Sequence, residues 1–417
     1  MKAHLKNPLL DSLLTEHNLA DLKGSSLLRV SPGHRLDALV PGAGQAPDWS
    51  ACLAALPDLH RLARTPQDPV HHAEGDVWTH TRMVVEAMLQ TTTWQQAGAS
   101  DRFVLFMAAL LHDIAKPATT VVDPVSGRIG QPGHSARGAV DARVLLWRAG
   151  VPFGQREAIC RLIAVHQVPF FTFKANRAGH SPEFIVRKLS HEVDLVHLAA
   201  LAEADMTGRQ CADQASVLDD IELFRELARQ EDCYGQPRPF ADEFTRMRYL
   251  SGEALDPDSV YHRTPGSEVT VMSGLPASGK NRWVTDHART LEVVSFDDAR
   301  EALGLVHGRN DGRAVHFATD KARALLRQQA PFVWNATHLS RQMRAKTLDL
   351  LLAYHARVTV VYLEQPEEVL LRRNRLRDST LPNAAIGRML HRWEVVLPTE
   401  AHEVRYEGLA LVKKSVA

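Results

Sequence analysis

The chain has 417 residues, 45% hydrophobic and 24% charged, with 49 basic and 49 acidic side chains. That composition excludes a disordered polyelectrolyte, which needs few apolar residues and a high net charge, and the length exceeds what one hydrophobic core usually holds, so two or three domains are expected. Four scattered cysteines (Cys52, Cys160, Cys211, Cys233) have neither pairing nor CxxC spacing, which excludes a disulfide scaffold and points to a reducing cytoplasm.

Asp11 interrupts the first apolar stretch, so no signal peptide is expected. No run approaches the roughly 20 apolar residues that span a bilayer, so no membrane partner is expected either. Residues 1–64 are punctuated by turn-formers and read as an extension of short elements packed on the domain after them. Residues 65–232 carry apolar residues at helical spacing in VWTHTRMVVEAMLQ, RFVLFMAALLHDIA, AVDARVLLWRAG, REAICRLIAVH, FIVRKLS, VDLVHLAALAEADM and VLDDIELFRELARQ. No β-rich alternation interrupts them, and an all-α domain is predicted. Residues 233–266 read as a linker with a connecting helix. From residue 267 the pattern changes: EVTVMSG, LEVVSF, FVWNAT and RVTVVYLE are short β-branched runs separated by helical segments, which predicts an α/β domain with a parallel sheet over 267–417. Charge is uneven. Residues 265–417 hold 22 Lys and Arg against 17 Asp and Glu, and the preceding residues hold 27 against 32, which favours a polyanionic ligand on the C-terminal part.

Many of the 21 histidines lie between residues 60 and 200, where metal chemistry is to be sought. His112 and Asp113 end an apolar helix, with His80 upstream and Asp205 downstream. The ordered set H…HD…D, with LLHDIAKP and ADMTGR, resembles the HD phosphohydrolase superfamily, with Ala115 in place of the usual Gly. The resemblance implies that His80, His112, Asp113 and Asp205 ligate metal. Either His134 and His166 complete a second site bridged by Asp113, or they stand behind a single metal. Mixed imidazole and carboxylate ligation suits Mn, Fe, Co, Ni or Zn, and two such metals would activate water and polarise a phosphoryl oxygen. Lys116 and Arg209 are expected to steady the substrate phosphate. The stretch His71 to Asp76 either lines the pocket or caps a helix.

The first strand of the C-terminal part runs into Gly274-Leu275-Pro276-Ala277-Ser278-Gly279-Lys280, a GxxxxGK loop between strand and helix. Its backbone N–H groups, around Gly274, Ala277, Ser278 and Gly279, converge on phosphate oxygens, the helix N-terminus adds positive potential, and Lys280 reaches the outer phosphates. The next position, usually the Ser or Thr that holds Mg²⁺, is Asn281. Asp297 ends the second strand, where a carboxylate faces the ligand crevice and is placed to take a proton from an attacking hydroxyl. Arg300, one turn on, is placed to grip an acceptor phosphate. Arg373 and Arg377 share a helical face and suit a lid over donor phosphates.

GLPASGK, DDAR, WNATHLSRQMR, RNRLR and LPNAAIGRMLHRWEVVLPTEAHEV together resemble the polynucleotide kinase branch of P-loop phosphotransferases. By that resemblance Lys280 binds donor phosphates, Asp297 is the general base on a 5′-hydroxyl, Arg300 binds the acceptor phosphate, and Arg373 and Arg377 clamp the NTP with Mg²⁺. The two motif sets in this order resemble the bacterial HD-Pnk end-healing enzymes. The likeness implies a 2′,3′-phosphoesterase and an ATP- or NTP-dependent 5′-hydroxyl kinase acting on single-stranded RNA or DNA ends, whose products a separate ligase can join. The alternatives are an HD nucleotide phosphohydrolase with a regulatory NTP-binding P-loop domain, and a small-molecule kinase on an HD scaffold.

Overall fold

A computed structural model describes residues 28–175, 178–305, 311–376 and 382–408. The chain divides into two compact units, Met1–Pro239 and Phe240–Ala417.

In the first unit, side chains that satisfy first-turn amides set where helices begin. Asp76 accepts from Thr79 N–H at 2.8 Å to start Val77–Met88, and Asp194 does the same at 2.8 and 3.1 Å for Leu195–Thr207. Ala99–Leu111 is the central helix, with Phe103 through Leu111 all buried. A helix apolar on all sides must be surrounded. His134–Arg148, Phe153–Val165, Pro182–Ser190 and Gln214–Gln230 complete the longer helices. One core joins them, through residues such as Val84, Phe106, Leu110, Leu145, Ile163, Leu198 and Phe224. Short elements at Leu36–Leu39, Trp49–Ala55 and Pro57–Arg64 add Leu36, Cys52, Leu59 and Leu62 to the same core. Gly208, which ends Leu195–Thr207, touches the backbone of Val77–Met88: a Cβ there would lie 2.6 Å from Val84 N. Only glycine permits this approach.

Among its described residues the unit is helical except for one feature that the apolar periodicity does not show. Strands β1 (Val121–Val122) and β2 (Ile129–Gly130) form an antiparallel hairpin. Asp123 closes its turn by accepting from Val125 and Ser126 N–H. Two-residue strands with exposed valines leave no alternation to read.

In the second unit, among the described residues, five parallel strands form one sheet in the order β4-β5-β3-β6-β7. They are β3 (Glu268–Ser273), β4 (Glu292–Ser295), β5 (Phe332–Asn335), β6 (Arg357–Leu363) and β7 (Glu403–Glu407). The four expected strands are present. The fifth, β7, reads EVRYE, and its partly exposed edge position tolerates alternating charge. The central strands are buried on both faces, as helices over both sides of a parallel sheet require. The chain passes from β3 outward to β4, back to β5, then across to β6, so the order reverses at β3. Ligands of open α/β sheets bind at the carboxyl ends of strands at such a point. Residues 240–266, including the helix Glu243–Leu250, belong to this unit: Glu243 pairs with Arg357 of β6 at 2.7 and 3.1 Å.

None of the four cysteines is in a disulfide. Among the described residues, no helix is long and apolar enough to cross a membrane.

Candidate functional site

Three imidazoles in the first unit are aimed by their own chain. Helix ends leave carbonyls without intrahelical donors. His112 follows Ala99–Leu111 and donates Nδ1–H to Ala109 O; His166 follows Phe153–Val165 and donates to Ile163 O; His134 opens His134–Arg148 and donates to Gln131 O. Each bond is 2.8 Å long and reaches the residue three positions back. Each ring therefore keeps its proton on Nδ1 and presents the Nε2 lone pair.

Those lone pairs converge with His80, Asp113 and Asp205. The six residues expected as ligands meet in one place, none more than 5% exposed. His112 Nε2 lies 3.4 Å from His80 Nε2 and 3.1 Å from Asp113 Oδ2. The other Asp113 oxygen faces His134 Nε2 at 3.4 Å. Asp205 spans likewise, with Oδ1 3.1 Å from His80 Nε2 and Oδ2 3.9 Å from His166 Nε2. Among the described residues potential ligand atoms fall into three sets, each within 4.8 Å: His80/His112/Asp205 and Asp113/His134/His166 from these six residues, and His72/Glu74/His80 beside them.

These residues fit a divalent metal. Both Asp113 oxygens, Asp205 Oδ2 and His166 Nε2 are buried without a well-aligned hydrogen bond. Buried polar atoms are rarely left so, and a cation drawing on all of them satisfies the set. Imidazole with carboxylate is the donor mix of Mn, Fe, Co, Ni and Zn. Charge agrees. Burial opposes ionisation of Asp113, but His112 and Lys116 outweigh it and hold the carboxyl well below its usual range. Burial is likewise overcome at Asp205 by Arg209 and His80. Burial pushes His134 down to about 4 and His166 to about 3, which keeps both as neutral ligands. His112 differs: burial is overridden there by Asp113 and Asp205, which raise its pKa, so a cation would take the place of a proton at its Nε2.

Lys116 and Arg209, the residues expected to meet a phosphate, border the cluster. Lys116 Nζ stands 2.7 Å from Asp113 Oδ2 and donates to Gln67 Oε1 at 2.7 Å. Arg209 donates to Asp205 Oδ1 at 2.8 Å, with its guanidinium 5.5 Å from the Phe170 ring centroid. The stretch from His71 to Asp76 serves both of the roles left open for it. Asp76 caps a helix, while His72 and Glu74 reach the cluster: Glu74 Oε1 is 2.8 Å from His72 Nδ1 and 3.0 Å from His80 Nδ1. Sequence reasoning did not place Glu74 or Gln67. The density of ligand-type residues in HHAEGD was the signal for Glu74; Gln67, in a turn-rich segment, carried none.

In the second unit the loop after β3 turns through left-handed backbone at Gly274 (φ 142°), Ala277 (φ 63°) and Gly279 (φ 112°). A Cβ on Gly274 would strike Leu363 O at 2.3 Å, so glycine is required there. Gly274 N–H donates to Thr337 O beyond β5. Lys280 opens the helix Lys280–His287 and folds back to donate to Gly274 O and Leu275 O, each at 2.9 Å. Ser278 Oγ is buried without a hydrogen bond. A strand, left-handed loop and helix N-terminus in this order suit the phosphates of a nucleotide.

Asn281 Oδ1 accepts from Asn335 Nδ2 at 3.0 Å, and Asn335 ends β5 beside β3. Arg373, in the helix Glu367–Arg375, donates to Ser278 O at 3.5 Å and so adjoins the loop. Arg377 lies outside the described residues. At the end of β4, Ser295 Oγ caps the helix Phe296–Ala302 through Asp297 and Asp298 N–H. Arg300 donates to the exposed Asp297 carboxylate at 2.6 Å.

A family model described as an AAA domain matches residues 269–396. Segments of the chain are similar to the Multifunctional CCA protein of Halorhodospira halophila, 36% identical over 110 residues, which are 26% of this chain and 22% of that protein. The CC-adding tRNA nucleotidyltransferase of Thermus thermophilus is 30% identical over 202 residues, covering 48% and 40%. The A-adding tRNA nucleotidyltransferase of Deinococcus radiodurans is 28% identical over 186 residues, covering 44% and 40%. The chain thus spans less than half the length of these curated relatives. Among solved structures, a gluconokinase from Sinorhizobium meliloti overlaps 36% of this chain and 86% of its own at 21% identity, with a TM-score of 0.26, a likeness too slight to bear on function. Residues 269–396 of the second unit thus match an AAA-domain model around its P-loop, and the described residues of the first unit are largely helical.

Proposed function

We propose that the chain heals nucleic-acid ends. In this reading residues 65–232 form an HD phosphohydrolase domain with residues 1–64 as an extension packed on it, 233–266 form a linker whose residues from 240 onward pack with the second unit, and 267–417 form a polynucleotide kinase domain. The carrying observation is the buried cluster of His80, His112, Asp113, His134, His166 and Asp205, whose unpartnered lone pairs converge as a one- or two-metal centre does. One or two divalent metals held there would supply Lewis-acid polarisation of a phosphoryl oxygen. Asp113 and Asp205 each direct two oxygens to different imidazoles and so fix the spacing of the cluster. Lys116 and Arg209 bind the non-bridging oxygens of a 2′,3′-cyclic or terminal phosphate. Access to them requires a substrate anion to compete with Asp113 and Asp205 for their donors.

In the kinase domain Lys280 leaves the loop carbonyls for the outer phosphates of ATP or another NTP accompanied by Mg²⁺. Gly274, Ala277, Ser278 and Gly279 supply the loop backbone, and Arg373 with Arg377 closes on the donor. Asp297 takes the proton of a 5′-hydroxyl, and Arg300 turns from Asp297 to the acceptor phosphate. Curated relatives named as tRNA nucleotidyltransferases support a nucleic-acid substrate; the proposal adds single-stranded RNA or DNA ends as partners, a separate ligase as the next enzyme, and a cytoplasmic setting. The test is a single-stranded RNA oligomer with a 5′-hydroxyl and a 2′,3′-cyclic phosphate, incubated with ATP, Mg²⁺ and Mn²⁺. Mass spectrometry should show a gained 5′-phosphate and loss of the cyclic phosphate. An oligomer unchanged at both ends refutes the reading.

A second reading has one observation behind it. Asn281 and Asn335 pair amide to amide where a Ser or Thr hydroxyl usually holds Mg²⁺. An amide oxygen already engaged is a weak metal ligand, which favours an HD nucleotide phosphohydrolase whose P-loop domain senses NTP. That enzyme would hydrolyse free nucleotides and leave the oligomer intact.

A further inference from the structure

Glu74 touches none of the atoms expected to meet substrate, yet three parts of the first unit meet on its carboxylate. Its side chain is 1% exposed. Oε1 is 2.8 Å from His72 Nδ1 and 3.0 Å from His80 Nδ1, the latter without the alignment of a full hydrogen bond. Oε2 accepts from Gln210 N–H at 2.9 Å, and Ala73 N–H donates to Gln210 O at 2.9 Å, so the loop bearing Glu74 is laced to the segment after Asp205. His80 is the one imidazole of the cluster that sits inside a helix, Val77–Met88, where the backbone carbonyls are consumed by intrahelical bonds. The device that orients His112, His134 and His166 is not open to it.

We infer that Glu74 is the positioning residue of His80: its carboxylate holds the proton on Nδ1 and so leaves the Nε2 lone pair facing His112 and Asp205. A carboxylate behind a metal-bound imidazole fixes tautomer and orientation and raises ligand basicity. The same oxygen also meets His72, whose ring stands edge-on to His80 with centroids 4.8 Å apart, so the two rings are set as a pair. The inference rests on the reading of the cluster as a metal centre.

Glu74→Gln in the full chain separates this role from packing. The glutamine is isosteric, but its amide group places N–H donors where the carboxylate had only acceptors. Turned toward His80, the amide favours a bare Nδ1 and a proton on Nε2. Long-range ¹H–¹⁵N NMR of the metal-free protein should show that proton shift, and Mn²⁺ titration followed by electron paramagnetic resonance should show affinity falling by roughly 10- to 100-fold. Glu74→Asp keeps a carboxylate, so His80 should keep its Nδ1 proton and Mn²⁺ affinity should stay within a few-fold of wild type. An unmoved proton with unchanged affinity in Glu74→Gln overturns the inference. Equal losses in both variants mark a packing role and overturn it too. Wild-type protein that takes up no Mn²⁺ or Co²⁺ removes the metal reading itself, and the inference with it.

Discussion

His338 shows what burial does to an imidazole away from the histidine cluster. It sits at φ 42°, 2% exposed, donating Nδ1–H to Met272 O at 2.8 Å, with Nε2 3.1 Å from Thr347 Oγ1. Burial pushes its pKa down to about 4, and the nearby Arg344 and Lys280 add to the effect. The unfolded chain binds the proton near pH 6.5 and the native state does not, so stability falls as pH drops from there to about 4. Integrated over that window the loss is on the order of 3 kcal/mol. Denaturant unfolding of wild type between pH 7 and 5 should therefore show a steeper decline than His338→Gln. Parallel slopes would mean that His338 takes up its proton in the native state over the same pH range as in the unfolded chain. At this scale the resemblance to HD phosphohydrolases names six residues, and the fold brings those six side chains together. Sequence reading singled out the stretch from His71 to Asp76 as ligand-rich but assigned Glu74 no role, because burial, not spacing, separates a carboxylate behind a ligand from one that faces solvent. It named Asn281 as a departure but had no means to pair it with Asn335, 54 positions away.

Among elements, the stretch WNATHLSRQMR illustrates a motif with a structural job inside it. Arg344, fully buried in the helix Arg341–Ala353, donates to both Glu400 oxygens at 2.7 and 2.8 Å, and to the carbonyls of His338, Leu339 and Glu394. The bidentate pair ties the segment after β5 to the segment before β7. Removing one partner of a buried ion pair strands the other, at a cost of about 3–5 kcal/mol. Arg344→Met should lower the unfolding free energy by that amount in denaturant titration, while Arg323→Met, at an exposed ion pair with Asp320, should change it by less than about 1 kcal/mol. Helices and buried strands were legible because apolar spacing reports burial directly. The β1–β2 hairpin and β7 were not, since pairing by backbone hydrogen bonds leaves no apolar trace when side chains face water.

For the whole molecule, the proposed function puts two chemistries on two compact units. Asp297→Ala should reduce 5′-phosphorylation by at least about 100-fold, as expected for loss of a general base, and leave cyclic-phosphate opening intact. Asp113→Ala should do the reverse and release bound transition metal, measured by elemental analysis. Joint loss of both activities in either folded variant would refute independent sites.

Three of the four cluster imidazoles are oriented by a carbonyl three residues back along the same chain. On the proposed reading of the cluster as a metal centre, such rings are set by the act of folding, before any ion arrives. The protein then offers a berth with a fixed outline. Stripping the ion need not unravel it, and reloading need not rebuild it. Under scarcity the enzyme would idle intact rather than be lost. Which metal occupies the berth would depend on what the surroundings supply as much as on what the ligands prefer.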